Sequence, residues 1–131
     1  LYVRKKPKGF GRGAQIEGWF PEGANVLLVE DLATDGGSKL LFVEALRAAG
    51  AEVTDTAVVF FYDVFPGARA RLSEAGIALH ALATWRDVLA AAREPGAPGR
   101  RFAAEQLDEV ELFLGDPYGW SAARGGIAAP A

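Results

Sequence analysis

Glu30 and Asp31 stand side by side after the apolar stretch Asn25 to Val29, and Thr34, Asp35, Gly36, Gly37 and Ser38 follow four to eight residues beyond Glu30. A short continuous apolar run of this kind is expected for a parallel strand buried on both faces. In open α/β sheets, ligands gather beyond the carboxyl ends of the strands. Two carboxylates placed there can accept hydrogen bonds from hydroxyls or hold a hydrated Mg2+ ion. Small residues opening a helix let backbone N–H groups approach a phosphate, whose charge the helix dipole favours. Thr34 and Ser38 add hydroxyl donors. The spacing fits a ligand that carries both a diol and a phosphate. The same letters also fit plain capping, an Asp at a strand end with Thr or Ser before a helix. A receiver domain likewise ends a strand in acids and would use Asp63 as phospho-acceptor. It also needs a lysine after a further strand, and no lysine follows Lys39.

The second group of interest is basic. Arg4, Lys5, Lys6, Lys8 and Arg12 precede the first acid, Glu17, although the net charge of the chain is −3. Such a block calls for an anionic partner, a phosphate ligand or a nucleic acid. Within it Phe10 is the sole aromatic residue available for stacking on bases, which weighs against nucleic acid. Pro7, Gly9, Gly11 and Gly13 exclude regular structure, so residues 7 to 14 are expected to form a flexible loop.

The elements that must position these groups read as alternating strands and helices. Leu1 to Val3 ends a strand and Ile16 to Phe20 forms a short one. Asn25 to Val29 is a buried strand ending in the acids, and a helix runs from Lys39 to Gly50. Val53 to Tyr62 is a strand, Ala68 to Ala75 a short helix, Ile77 to Leu82 a third main strand and Trp85 to Arg93 a helix. Glu94 to Gly99 is a Pro/Gly-rich linker, Phe102 to Leu114 a helix and Gly115 to Ala131 a loose tail. The alternation predicts an α/β fold with a largely parallel sheet flanked by helices.

From Val29 to Ser38 the apolar strand, acid pair and Thr-led small-residue turn resemble the signature of type I phosphoribosyltransferases, which binds 5-phosphoribosyl-1-pyrophosphate (PRPP). The run Arg4 to Gly13, followed by Gln15-Ile16-Glu17-Gly18, resembles the mobile catalytic loop of the orotate branch of that family. The resemblance extends less distinctly from Leu1 to about Pro66, roughly half the chain. It implies transfer of the phosphoribosyl group from PRPP to orotate, giving orotidine 5′-monophosphate and pyrophosphate, in pyrimidine biosynthesis. It implies that Glu30 and Asp31 hold the ribose hydroxyls, and that Thr34, Asp35, Gly36, Gly37 and Ser38 cradle the 5′-phosphate. Arg4, Lys5 and Lys8 would contact pyrophosphate and, with Asp31, form the catalytic group. Thr34 would also touch orotate. Mg2+ would arrive with PRPP, near Glu30 and Asp31, and a homodimer would share the loop between sites. Two departures stand out: Phe10 replaces the usual loop histidine, and Asp63 is followed by Val64-Phe65-Pro66 with no arginine until Arg69. The alternatives are a phosphoribosyltransferase for another nucleobase, or a non-catalytic PRPP sensor that binds nucleic acid.

At 131 residues, half of them apolar, the chain suffices for one domain with a genuine core. The division expected is 1–131 as the C-terminal part of one phosphoribosyltransferase domain, with the basic loop region at 1–15, the PRPP strand-turn-helix at 26–39 and linker, helix and tail at 94–131. The absence of methionine is the reason for expecting a piece of a longer protein whose N-terminal segment completes the fold. No run is long enough to span a bilayer and no leader pattern is seen, so a cytoplasmic protein is expected. Without cysteine and with the single His80, disulfides and His-rich metal sites are excluded. His80 reads as a hydrogen-bonded strand histidine. Trp19, Trp85 and Trp120 read as packing or dimer residues, and Glu105, Asp108, Glu109 and Glu111 as a solvated helix face.

Overall fold

The computed structural model describes residues 1–4, 15–96 and 102–127. The chain begins with β1 (Tyr2–Val3) and β2 (Ile16–Glu17), then β3 (Leu28–Ala33), α1 (Gly37–Ala48) and β4 (Asp55–Phe61). It continues through α2 (Ala68–Glu74), β5 (Ala78–Thr84), α3 (Trp85–Arg93), α4 (Ala104–Gly115) and α5 (Pro117–Ala122). The main sheet has the order β3-β4-β5, all parallel, with α1 and α2 as the two crossovers. The expected α/β class is therefore what forms, with boundaries shifted by a few residues.

Side chains alternate across a strand, so register decides which of them meet. Leu28, Thr56 and Leu79 lie abreast, as do Glu30, Val58 and Ala81. That face meets the helices: Leu28 joins Phe42, Val43 and Leu46 of α1, Leu72 of α2, and Val53 and Ile77 in one apolar cluster. Thr56 is fully buried there, and its hydroxyl donates to the Leu28 carbonyl at 3.0 Å, which satisfies a polar group that would otherwise be costly. On the opposite face Val29, Val59 and Leu82 are exposed around a shallow groove of about 160 Å³ that also includes Ala57 and His80. The strand carrying the acids is thus covered on one face among the described residues, where burial on both was expected.

α1 buries Lys39, Phe42, Val43 and Leu46, the i, i+3, i+4, i+7 stripe of an amphipathic helix. Arg47 near its end ties neighbouring elements together. It donates to the Val53 carbonyl at 3.2 and 2.6 Å and to the Ala75 carbonyl at 2.9 Å. β1 and β2 form a small antiparallel pair, Tyr2 against Glu17 and Val3 against Ile16, and Val3 and Ile16 rest on the main cluster.

Beyond the sheet, α3 opens with a capping box in which Thr84 and Asp87 satisfy each other's backbone N–H groups. The acids of α4 lie on an exposed face, as expected, and three of them also pair with neighbouring elements. Arg93 pairs with Asp108 at 2.8 Å and Glu111 at 2.7 Å, while Glu109 accepts from Trp120 Nε1 at 2.7 Å and pairs with Arg124. The expected loose tail contains a helix, because Asp116 accepts from the Gly119 N–H at 2.9 Å and Pro117 supplies a preset first residue for α5. Trp85 packs edge-on against Phe60 and Tyr62, and Trp120 against Phe113. Trp19, by contrast, is 83% exposed.

Candidate functional site

β3 does not stop at its acids. Leu32 pairs with Phe60 and Ala33 with Phe61, and the Tyr62 N–H donates to the Ala33 carbonyl at 2.9 Å. Glu30 and Asp31 therefore lie inside the strand, where neighbours point to opposite faces. Glu30 shares the helix-covered face with Val58, and Asp31 is exposed. The two carboxylates are adjacent in sequence without forming one two-pronged clamp.

Glu30 is instead engaged from below by Lys39. This lysine is 2% exposed; its Nζ donates to the Leu32 carbonyl at 2.6 Å and forms an ion pair with the Glu30 carboxylate, whose side chain is 20% exposed. Burial of an ammonium is tolerated only when it is paired in this way.

The turn from Thr34 to Gly36 joins β3 to α1. Gly36 has φ 83°, a left-handed conformation that costs glycine nothing. A Cβ there would come within 3.3 Å of Leu72 Cγ and 3.4 Å of the Ala68 carbonyl oxygen, so the turn packs closely on α2. Arg71 of α2 holds the turn from outside, donating through Nη2 to the Asp35 carbonyl at 2.7 Å. The Asp35 carboxylate accepts the Gly37 N–H at 3.1 Å. A phosphate bound at this helix start must take that amide over from Asp35. Thr34, Gly37 and Ser38 are each part-exposed, so the small-residue turn is open to a ligand.

Arg4 lies at the end of β1. Its N–H donates to the Gln15 carbonyl at 2.8 Å, and Gln15 Nε2 donates to the Arg4 carbonyl at 3.0 Å. Its guanidinium donates to Glu17 at 3.0 and 2.6 Å, which raises its pKa above the ordinary value, and it lies over the Tyr2 ring. The other members of the basic group, Lys5 and Lys8, together with Lys6, Phe10 and Arg12, lie outside the described residues.

At the carboxyl end of β4, Asp63 adopts φ 51°, uncommon for a residue with a side chain. The arginine that the sequence places only at position 69 returns to it. Arg69 Nε and Nη2 donate to the two Asp63 oxygens at 2.8 and 2.7 Å, with the guanidinium 4.9 Å from the Phe61 ring centroid. At the other end of β4, His80 Nε2 lies 2.7 Å from Asp55 Oδ1, a hydrogen-bonded strand histidine as expected. His80, and then the Thr54 hydroxyl, hold the Asp55 pKa below its ordinary value. Among the described residues no group of three or more His, Cys, Asp or Glu side chains could hold a metal ion.

Sequence reasoning missed Lys39 and Arg71. For Lys39 a signal existed, since a lysine interrupts the apolar stripe of α1. Arg71 carried none, because its partner is a backbone carbonyl on another element.

Comparison with curated proteins finds an orotate phosphoribosyltransferase of Ruegeria sp. (strain TM1040), 58% identical over 122 residues, covering 93% of this chain and 52% of the relative. One of Rhizobium meliloti (strain 1021) is 52% identical over 129 residues, 98% of this chain and 54% of the relative. The chain spans about half the length of the curated relatives it matches. Among solved structures, Leishmania donovani UMP synthase matches with TM-score 0.66 and 31% identity over 83% of this chain and 23% of that one. A phosphoribosyltransferase from Corynebacterium diphtheriae matches with TM-score 0.56 and 40% identity, over 66% and 49% respectively. No protein-family model matches the chain.

Proposed function

We propose that the chain is a member of the orotate phosphoribosyltransferase family and carries the PRPP-binding half of an enzyme that joins orotate to PRPP in pyrimidine biosynthesis. The observation that carries this reading is identity of more than half over nearly the whole chain to relatives bearing that name. In the reaction a ring nitrogen of orotate bonds to the anomeric carbon as the bond from that carbon to pyrophosphate oxygen breaks, and the proton of that nitrogen is given up to water or to the departing pyrophosphate. The Thr34–Ser38 turn, with Asp35, Gly36 and Gly37, holds the 5′-phosphate and so fixes the sugar for displacement. Thr34 also reaches the orotate. Asp31 and the exposed part of Glu30 receive the ribose hydroxyls and lie near the positive charge that develops on the sugar. Arg4, Lys5 and Lys8 stabilise the departing pyrophosphate.

Asp31, exposed on β3, fits a protein carboxylate that would accompany an Mg2+ ion held mainly by substrate phosphates, whereas Glu30 is engaged by Lys39. Bound there, Mg2+ supplies charge stabilisation for the pyrophosphate. A homodimer that shares the loop between sites, and a cytoplasmic location, complete the reading. Among the described residues no helix is long and apolar enough to cross a membrane.

The bidentate grip of Asp63 on Arg69 favours one second reading, a different base, because it occupies the arginine nearest the strand end. The native-length protein, mixed with PRPP, Mg2+ and orotate, should consume orotate absorbance, with adenine, hypoxanthine and uracil inert. Lys8→Ala should abolish that consumption. PRPP binding with turnover of another base would replace orotate in the reading.

A further inference from the structure

Lys39 is placed where elementary electrostatics least favours it. It occupies the third position of α1, where the helix dipole disfavours a cation, and it lies on the apolar stripe completed by Phe42, Val43 and Leu46. Two of its partners, the Leu32 carbonyl and the Glu30 carboxylate, belong to β3 and flank Asp31. The side chain therefore ties the start of α1 back to the acid-bearing strand and closes a ring around the Thr34–Gly36 turn. Without this cation the largely buried Glu30 would be drawn outward to water, and two uncompensated carboxylates would stand beside an anionic ligand.

We propose that Lys39 is a positioning residue: its ammonium holds Glu30 through Oε2 so that the other carboxylate oxygen accepts a hydrogen bond from a ribose hydroxyl. The ligand's phosphate sits meanwhile on the Thr34–Ser38 turn. The inference rests on the sugar-phosphate reading above. It also gives α1 two jobs, the first turn facing the phosphate and the third residue reaching under the turn to set the sugar contact.

The test compares two probes, ribose 5-phosphate and 2-deoxyribose 5-phosphate, by calorimetric titration of the native-length protein without metal. The unaltered protein is expected to prefer ribose 5-phosphate on the order of tenfold, the worth of one hydrogen bond to a charged group. In Lys39→Met that ratio is expected to fall to about one, while Lys39→Arg, which keeps the charge, preserves most of it. General loosening of the fold would weaken both probes together and leave the ratio intact. If Lys39→Met fails to fold, Lys39→Gln carries the same comparison, since it keeps a donor for the Leu32 carbonyl and removes the charge. A folded Lys39 variant without the charge that retains the tenfold preference overturns the proposal. Equal binding of both probes by the unaltered protein also overturns it and leaves the phosphate turn standing. Binding of neither probe removes the sugar-phosphate reading itself, and this inference with it.

Discussion

Gly36 and Gly67 form a natural pair for separating backbone strain from packing. Each directly precedes a helix, with φ/ψ of 83°/−10° and 81°/−6°. They differ in surroundings: a Cβ on Gly36 would press on Leu72 and on the Ala68 carbonyl at 3.3–3.4 Å, whereas one on Gly67 meets nothing within 4 Å. Alanine at either site incurs about 1–2 kcal/mol for a left-handed conformation, offset by about 0.4–1 kcal/mol from the stiffer unfolded chain. Gly67→Ala is therefore expected to cost about 0.5–1 kcal/mol. Gly36→Ala adds overpacking at the low end of the usual range, about 1 kcal/mol, because Leu72 Cγ at 3.3 Å must give by a few tenths of an ångström while the Ala68 carbonyl at 3.4 Å is in ordinary contact. The total at Gly36 is about 1.5–2 kcal/mol. For a domain of this size each kcal/mol shifts Tm by about 3–5 °C, so the two variants should melt roughly 3–5 °C apart. Paired thermal and urea denaturation measures the gap. Titration with ribose 5-phosphate should then show loss of affinity in Gly36→Ala and none in Gly67→Ala. Equal stability losses in the two variants would refute the claim that the turn is braced against α2.

Two further outcomes follow from the sheet. Phe61 is fully buried, so Phe61→Ala should cost about 3–5 kcal/mol in urea denaturation; a loss under 1 kcal/mol would show that the end of β4 is not a packed core position. His80 and Thr54 depress the Asp55 pKa below the ordinary 3.8, so their contribution is fully present above that value and disappears as pH falls through the lowered folded pKa. His80→Ala should accordingly lower the urea midpoint at pH 5, with the deficit shrinking as pH falls below 3.8, and a deficit that does not change with pH would assign the effect to something other than the carboxylate.

The sequence made the strand, turn and helix around Glu30 legible because each has its own local signal: an apolar run, small residues, and a 3.6-residue stripe. The same locality hid the arrangement of the acids. Reading β3 as ending at Val29 put Glu30 and Asp31 together beyond its tip, whereas pairing with β4 carries the strand to Ala33 and separates them by face. Strand length here is set by the partner, which no window of β3 alone records. Arg69 shows the same limit. Six positions of chain separate it from Asp63, and only the course of the chain into α2 brings the two into bidentate contact. α5 was legible in principle, since Asp116-Pro117 is a helix-opening pair, yet the glycines on either side of it drew the eye to a tail.

The order β3-β4-β5 in space repeats the order along the chain. Each strand leaving the ribosome thus finds its predecessor already laid down, and none must wait for a distant stretch before it can pair. Synthesis only as far as Phe61 delivers the acid-bearing strand, its turn, the whole of α1 and the neighbouring strand that extends β3 to Ala33. The turn between β3 and α1 can therefore take shape before α2, and Arg71 arrives afterwards to brace it, a sequence of events suited to domains that assemble during translation.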